Sequence, residues 1–227
     1  MIDMRTVKFN EGVVITISDV NDGNMKDPSL PNWADGKIER NREEFLQKSG
    51  IPIENVVLIK ADYSDDNFCR YNYIINTDKR RLGSPVADIR PSDGLVTKTP
   101  NIGIFLPLAD CLGVVFYDEK HRILMVVHSG RHNLEQEGLK KAVEFLGNYG
   151  SKAADLKVWL SPSAGVRNYP LHACEGKSLE QVAWEQLTST GVTDIMVDDI
   201  DVTTDENYYS HSQGDHDKRF AILAYML

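Results

Sequence analysis

Read for its hydrophobic pattern, the chain is a succession of short β-type runs broken by a few helical stripes. Residues 13–17, 56–60, 95–98, 102–108 and 156–160 are rich in β-branched and apolar side chains and are expected as strands, with 220–225 as a closing one. Residues 38–48 read as a helix with Phe45 and Leu46 on its stripe and Gly50 as its stop, and residues 179–190 as another. The clearest helix is expected to begin at Asn133, a capping residue type, with Gln136 three positions on as in a capping box. Leu134, Leu139, Ala142, Val143 and Leu146 give it one apolar face. Turn-forming residues mark 21–36 and 83–92 as surface loops. Strands with two apolar faces and helices outside them predict an α+β fold, a layered α/β/β/α sandwich with mixed β-sheets. No linker or repeat divides the chain, so 1–227 is expected to be one domain.

The densest patterning lies in residues 106–136. Two β-type runs, 114–117 and 123–127, flank a short polar turn. With the turn centred between Glu119 and Lys120, Tyr117 pairs with Arg122, Val115 with Leu124, and Cys111 with His128. Directly opposed antiparallel residues share a face, with Cβ atoms roughly 4.5–5.5 Å apart. A thiolate and an imidazole so placed can hold one metal ion or exchange one proton. A one-residue bulge would send them to opposite faces.

Composition narrows the partners. A formal charge of −9 over 227 residues argues against nucleic acid, which demands a basic face, but leaves room for a local cationic pocket. No apolar run approaches the roughly 20 residues that span a bilayer, so no membrane partner is expected. The first residues lack the apolar core of a secretory signal, and the expected location is cytoplasmic. Three cysteines, Cys69, Cys111 and Cys174, are too few and odd in number for a disulfide framework. Cys69 and Cys174 are expected to be structural, and His211 and His216 loop residues.

Several stretches together resemble the laccase-domain, or multicopper polyphenol oxidoreductase, family. They are NREEF at 41–45, SDGLVTKTPNIGIFLPLADC at 92–111, VVHSG at 126–130, LSPSAG at 160–165 and YYSHSQGDHDKRFAILAYML at 208–227. The resemblance implies a zinc-dependent purine nucleoside phosphorylase with adenosine deaminase activity, acting on a small-molecule purine nucleoside and phosphate. It implies a zinc held by His, Cys and His, of which the second and third map onto Cys111 and His128. The first has no counterpart here, and Asp62 falls at its position. The family's His-Ala-Gly-Trp-Arg-Gly becomes His-Ser-Gly-Arg-His-Asn, so Arg131 and His132 stand where phosphate or substrate would be met, just ahead of a helix start.

Three ligands and a water would make an open zinc site able to activate that water. Copper chemistry is less expected, since one Cys/His/Asp site lacks the histidine clusters that couple several coppers. Two rival readings stand beside the phosphorylase. One is a degenerate relative that binds a nucleoside or a partner without turnover. The other is a thiol hydrolase with Cys111 activated by His128. The oligomeric state is not legible.

Overall fold

The structure, a computed structural model, describes residues 5–26, 36–74 and 91–227. Most of the expected loops at 21–36 and 83–92 lies outside them. In chain order the elements are β1 (Arg5–Asn10), β2 (Val13–Ile17), α1 (Lys37–Lys48), β3 (Val56–Leu58), β4 (Tyr71–Tyr73), β5 (Gly94–Thr97), β6 (Gly103–Leu108), β7 (Leu112–Asp118) and β8 (Ile123–Ser129). They continue with α2 (Arg131–Glu135), α3 (Gly138–Gly147), β9 (Leu156–Leu160), α4 (Leu179–Ser189), β10 (Asp194–Val197) and β11 (Phe220–Met226).

The strands form two sheets, ordered β1-β2-β11-β6-β3 and β10-β9-β7-β8-β5-β4. Both are mixed: β3 runs parallel to β6, β4 to β5 and β10 to β9, while the other pairs are antiparallel. The sheets face each other across Ile15, Ile17, Leu106 and Ile222 on one side and Val115, Leu124, Val126 and Trp159 on the other, all buried. Each such side chain contributes roughly 1.5–3 kcal/mol by leaving water. The outer face of the first sheet is covered by α1, whose Phe45 meets Phe105 edge-on at 6.2 Å. The outer face of the second is covered by α2, α3 and α4 through Leu134, Leu139 and Leu187. This is the α/β/β/α layering that the alternation of runs implies. Among the described residues, no helix is long and apolar enough to cross a membrane.

Two local expectations change. Asp118 pairs with Ile123 and Gly113 with His128, so the β7–β8 register sits two residues from the expected one. The Asp118 carboxylate accepts from the His121 backbone N–H at 3.0 Å and lies 2.7 Å from its ring Nδ1. That closes a four-residue turn in which Arg122 takes φ 50°. Cys111 therefore lies just before β7 and diagonal to His128, not directly opposite. Because the slip is even, both residues keep the face between the sheets.

The expected Asn133 cap is also different. The helix starts earlier, behind Gly130, and breaks after Glu135 before α3 resumes. Asn133 lies inside α2, and its amide donates to the Phe68 carbonyl at 2.7 Å and to the Tyr71 hydroxyl at 3.0 Å. Gln136 donates to the Asp66 carbonyl and accepts from the Phe68 N–H. Both side chains staple residues 66–71 to the helix, a tertiary use that outcompetes the local cap. Capping boxes form elsewhere, between Ser178 and Gln181 at α4 and between Asp19 and Asp22 at the short 3-10 turn Val20–Asp22.

Candidate active site

The face of β7 and β8 between the sheets carries Val115 and Tyr117 on one strand and Leu124, Val126 and His128 on the other. Where β7 begins, this apolar layer ends and a half-open cavity of about 200 Å³ appears. A second cavity of about 300 Å³ adjoins it, and Tyr63, Cys111 and His128 line both. Gly130 shows how closely the central pair sits. A Cβ added there would lie 2.9 Å from the Cys111 sulfur, which would have to shift, and 3.7 Å from Cε1 of His128, in ordinary contact.

Neither the Cys111 thiol nor the His128 ring makes a hydrogen bond to a described residue. Burial pushes the thiol up to about 12, with the neighbouring Asp110 carboxylate adding to it and Arg219 and Arg131 opposing. Burial lowers His128 to about 4; Asp93 opposes that shift and Arg219 reinforces it. At neutral pH the pair is thus a neutral thiol beside a neutral imidazole. This disfavours the thiol hydrolase, which needs a thiolate in an electropositive setting.

The walls are aromatic and tethered. Phe68 stacks on His132 with ring centroids 4.6 Å apart and the planes 22° from parallel, and Tyr63 leans on Phe68 at 5.7 Å. Tyr169 closes another side. Asp93, 1% exposed, holds the loop behind this wall: its Oδ2 accepts from both the backbone N–H and Nε of Arg70 at 2.9 Å. Arg70 in turn donates to the Asp62 carbonyl at 2.5 Å. Asp93 also accepts the His128 backbone N–H on its own carbonyl, at 2.7 Å. One residue so ties the aromatic loop to the imidazole strand. On the far side, buried Asp110 takes φ 74° and accepts from the Ser210 hydroxyl at 2.6 Å and the Ser212 N–H at 2.7 Å. The terminal segment is thereby pinned beside Cys111.

Of the residues expected at the site, Cys111, His128, Arg131 and His132 come together around the smaller cavity. Arg131 and His132 share the carboxylate of Glu135, at 4.0 and 3.6 Å respectively. Asp62 does not join them. Its carboxylate closes a turn on Ser64, accepting from the N–H at 3.1 Å and the hydroxyl at 2.8 Å, and these bonds hold it below its usual range. Its neighbours Ala61 and Tyr63 line the cavities instead.

Cys111 and His128 supply two donors, but no group of three histidine, cysteine or acidic residues able to hold a metal ion exists among the described residues. Of the three-residue centre implied by the resemblance, the two donors that map onto this chain stand together at this corner. Tyr63, Phe68, Asp93, Tyr169, Lys60 and Arg219 are additional lining residues that sequence reading missed. Two aromatics in the acidic run YSDDNF were the one local hint, since apolar rings rarely sit in a purely solvated loop.

Known proteins share this fold or resemble this sequence. The YfiH protein of Bacillus licheniformis, described as hypothetical, superposes with a TM-score of 0.80 at 18% identity, covering 95% of this chain and 93% of its own. YlmD of Geobacillus stearothermophilus matches with a TM-score of 0.80 at 16% identity, covering 95% and 92%. These likenesses concern the fold. In sequence, the Mycobacterium tuberculosis protein named purine nucleoside phosphorylase Rv2149c is 28% identical over 209 residues, covering 83% of this chain and 79% of its own. Bacillus subtilis YlmD, also named a purine nucleoside phosphorylase, is 24% identical over 131 residues, covering 57% and 46%. The profile of the family described as multi-copper polyphenol oxidoreductase laccase matches residues 32–175, which include Cys111, His128 and the whole aromatic wall except for the terminal segment behind it, and the chain belongs to that family.

Proposed function

We propose that the paired cavities bind a purine nucleoside and phosphate, and that the protein is a purine nucleoside phosphorylase. The observation that carries this is the junction itself: flat aromatic walls and cationic side chains meet at the unpartnered Cys111–His128 corner. Tyr63, Phe68 and Tyr169 suit a purine face, since stacking on aromatics contributes roughly 1–3 kcal/mol per base. The neutral His128 ring offers one N–H and one lone pair to the ribose or base.

The reaction balances without an external acid. A phosphate dianion attacks C1′ of the ribose, the C1′–N9 bond breaks, and its electron pair leaves on the purine. The proton that the phosphate carries neutralises the base, so the protein's part is to orient the reactants and stabilise charge. No step is assigned to a metal. Zinc, if supplied, would be held by Cys111 and His128, the two donors that the described residues bring together, and the expected result is weak binding that a mild chelator reverses.

The test is chromatography of inosine and adenosine incubated with phosphate and wild-type protein, with and without chelator, beside His128→Ala. Free base and ribose 1-phosphate are expected from wild type in both conditions, and at least a tenfold loss in His128→Ala. Base release that vanishes with the chelator would return the reaction to a metal. If wild type binds nucleoside but releases no base, the degenerate binding reading takes its place.

A further inference from the structure

The resemblance points to Arg131 and His132 for phosphate, yet Glu135 lies against both. The adjoining cavity has the opposite balance. Lys26, Lys60 and Arg219 line it, and among the described residues no carboxylate does. In a chain of net charge −9 this is a local reversal of sign, set directly against Cys111 and His128.

The reversal is built into the backbone. Lys60 follows β3, and its carbonyl accepts the Ser92 N–H at 2.9 Å. Arg219 precedes β11, and its Nη1 donates to the carbonyls of Lys218 at 2.6 Å and His216 at 3.3 Å. Its guanidinium meets no carboxylate among the described residues, and neither does the Lys60 ammonium. Asn24 ties the remaining strand of the cradle together, its Oδ1 accepting from both the Lys26 N–H and the Arg219 N–H at 2.9 Å. The Lys26 side chain is 7% exposed at residue level and pairs with Asp217, whose own side chain is 89% exposed and stands outside the lining. Buried Arg42 fixes the Lys26 carbonyl at 2.5 Å from below. Two cations held by main chain on separate segments, and a third anchored between them, form a preorganised cradle for an anion.

We propose that Lys60 and Arg219, with Lys26 at the rim, form the phosphate subsite, in the cavity adjoining the one that contains Arg131. The inference rests on the phosphorylase reading for its ligand, inorganic phosphate, and on this geometry for its place. The nucleoside then lies along the aromatic wall with its ribose toward Cys111 and His128, and phosphate approaches from the Lys60 side. Guanidinium and ammonium donors suit the oxygens of a phosphate dianion, with Arg219 offering the planar fork.

The experiment measures binding separately from turnover. Calorimetric titration with inorganic phosphate, and in a second arm with adenosine 5′-monophosphate, is run on wild type, Lys60→Gln, Arg219→Gln, Arg219→Lys and Arg131→Gln. Lys60→Gln and Arg219→Gln are each expected to weaken inorganic phosphate by tenfold or more, Arg219→Lys by less, and Arg131→Gln by less than twofold. Circular dichroism identifies any variant that fails to fold, and Lys60→Gln carries the test if Arg219→Gln does. Unchanged phosphate affinity in Lys60→Gln, or a larger loss in Arg131→Gln, overturns the subsite. A loss confined to the monophosphate arm also overturns it, since the cradle would then serve a nucleotide's own phosphate. Weakened phosphate binding in a protein that releases no base would sink the phosphorylase and leave the subsite standing. Phosphorolysis whose phosphate KM responds only to Arg131→Gln would do the reverse.

Discussion

Asp93→Ala is expected to destabilise the protein by about 1–3 kcal/mol, the usual cost of leaving donors without their buried acceptor. Asp93 is 1% exposed and its Oδ2 accepts two bonds from Arg70, whose side chain is only 15% exposed. Alanine leaves the guanidinium desolvated with one carboxylate fewer, because Asp62 and Asp65 stand farther off, at 3.7 and 3.4 Å. The Arg70 N–H loses its acceptor as well. Asp93→Asn keeps the volume and an acceptor oxygen, so a clearly smaller loss is expected. Urea unfolding checks this: the midpoint should fall in the order wild type, Asn, Ala, with an unchanged slope. An Asp93→Ala midpoint within the error of wild type would show the pair to be energetically idle. Nucleoside affinity should fall with it, because Arg70 holds the loop that carries Tyr63 and Phe68.

This pair also shows what was legible in the sequence and what was not. Strands buried on both faces wrote themselves as apolar runs, and β2 and β9 begin and end where the pattern says. The strands that escaped notice, β1, β4 and β10, all lie at sheet edges, with partly exposed positions that blur any alternation. The shared face of Cys111 and His128 survived an error of register because strand periodicity is two and the slip was even. Asn133 misled for a physical reason: a residue type that caps helices also bonds any nearby backbone, and here the loop at 66–71 claims it. Asp93, Lys60, Tyr169 and Arg219 come from separate segments, and no local spacing announces that they converge. Their meeting is a property of the two-sheet topology, which brings the start of β7, the ends of β3 and β8, and the entry to β11 to one edge of the layer between the sheets.

His128 should leave its mark on stability as a function of pH. Its folded value of about 4 lies below the ordinary 6.5, with burial the leading cause. As pH falls below about 6.5, the unfolded chain takes up a proton that the folded imidazole refuses, so unfolding is progressively favoured. The stabilisation tied to the neutral ring is full above about 6.5 and gone below about 4, and a shift of this size corresponds to roughly 3 kcal/mol. Cys111 bounds the other side. Its folded value of about 12 lies above the ordinary 9.0, so the unfolded thiol ionises first and stability declines as pH rises from about 9 toward 12. His128→Gln, which cannot titrate, is expected to flatten the acid limb between pH 6.5 and 4 without altering the alkaline one; Cys111→Ala should do the opposite. Urea midpoints collected from pH 4 to pH 10 for the three proteins supply the measurement, and subtracting each variant's curve from wild type removes the common carboxylate contribution. An acid limb equally steep in His128→Gln would mean that the imidazole is solvated in the folded protein, and the neutral Cys111–His128 corner on which the nucleoside reading depends would have to be abandoned.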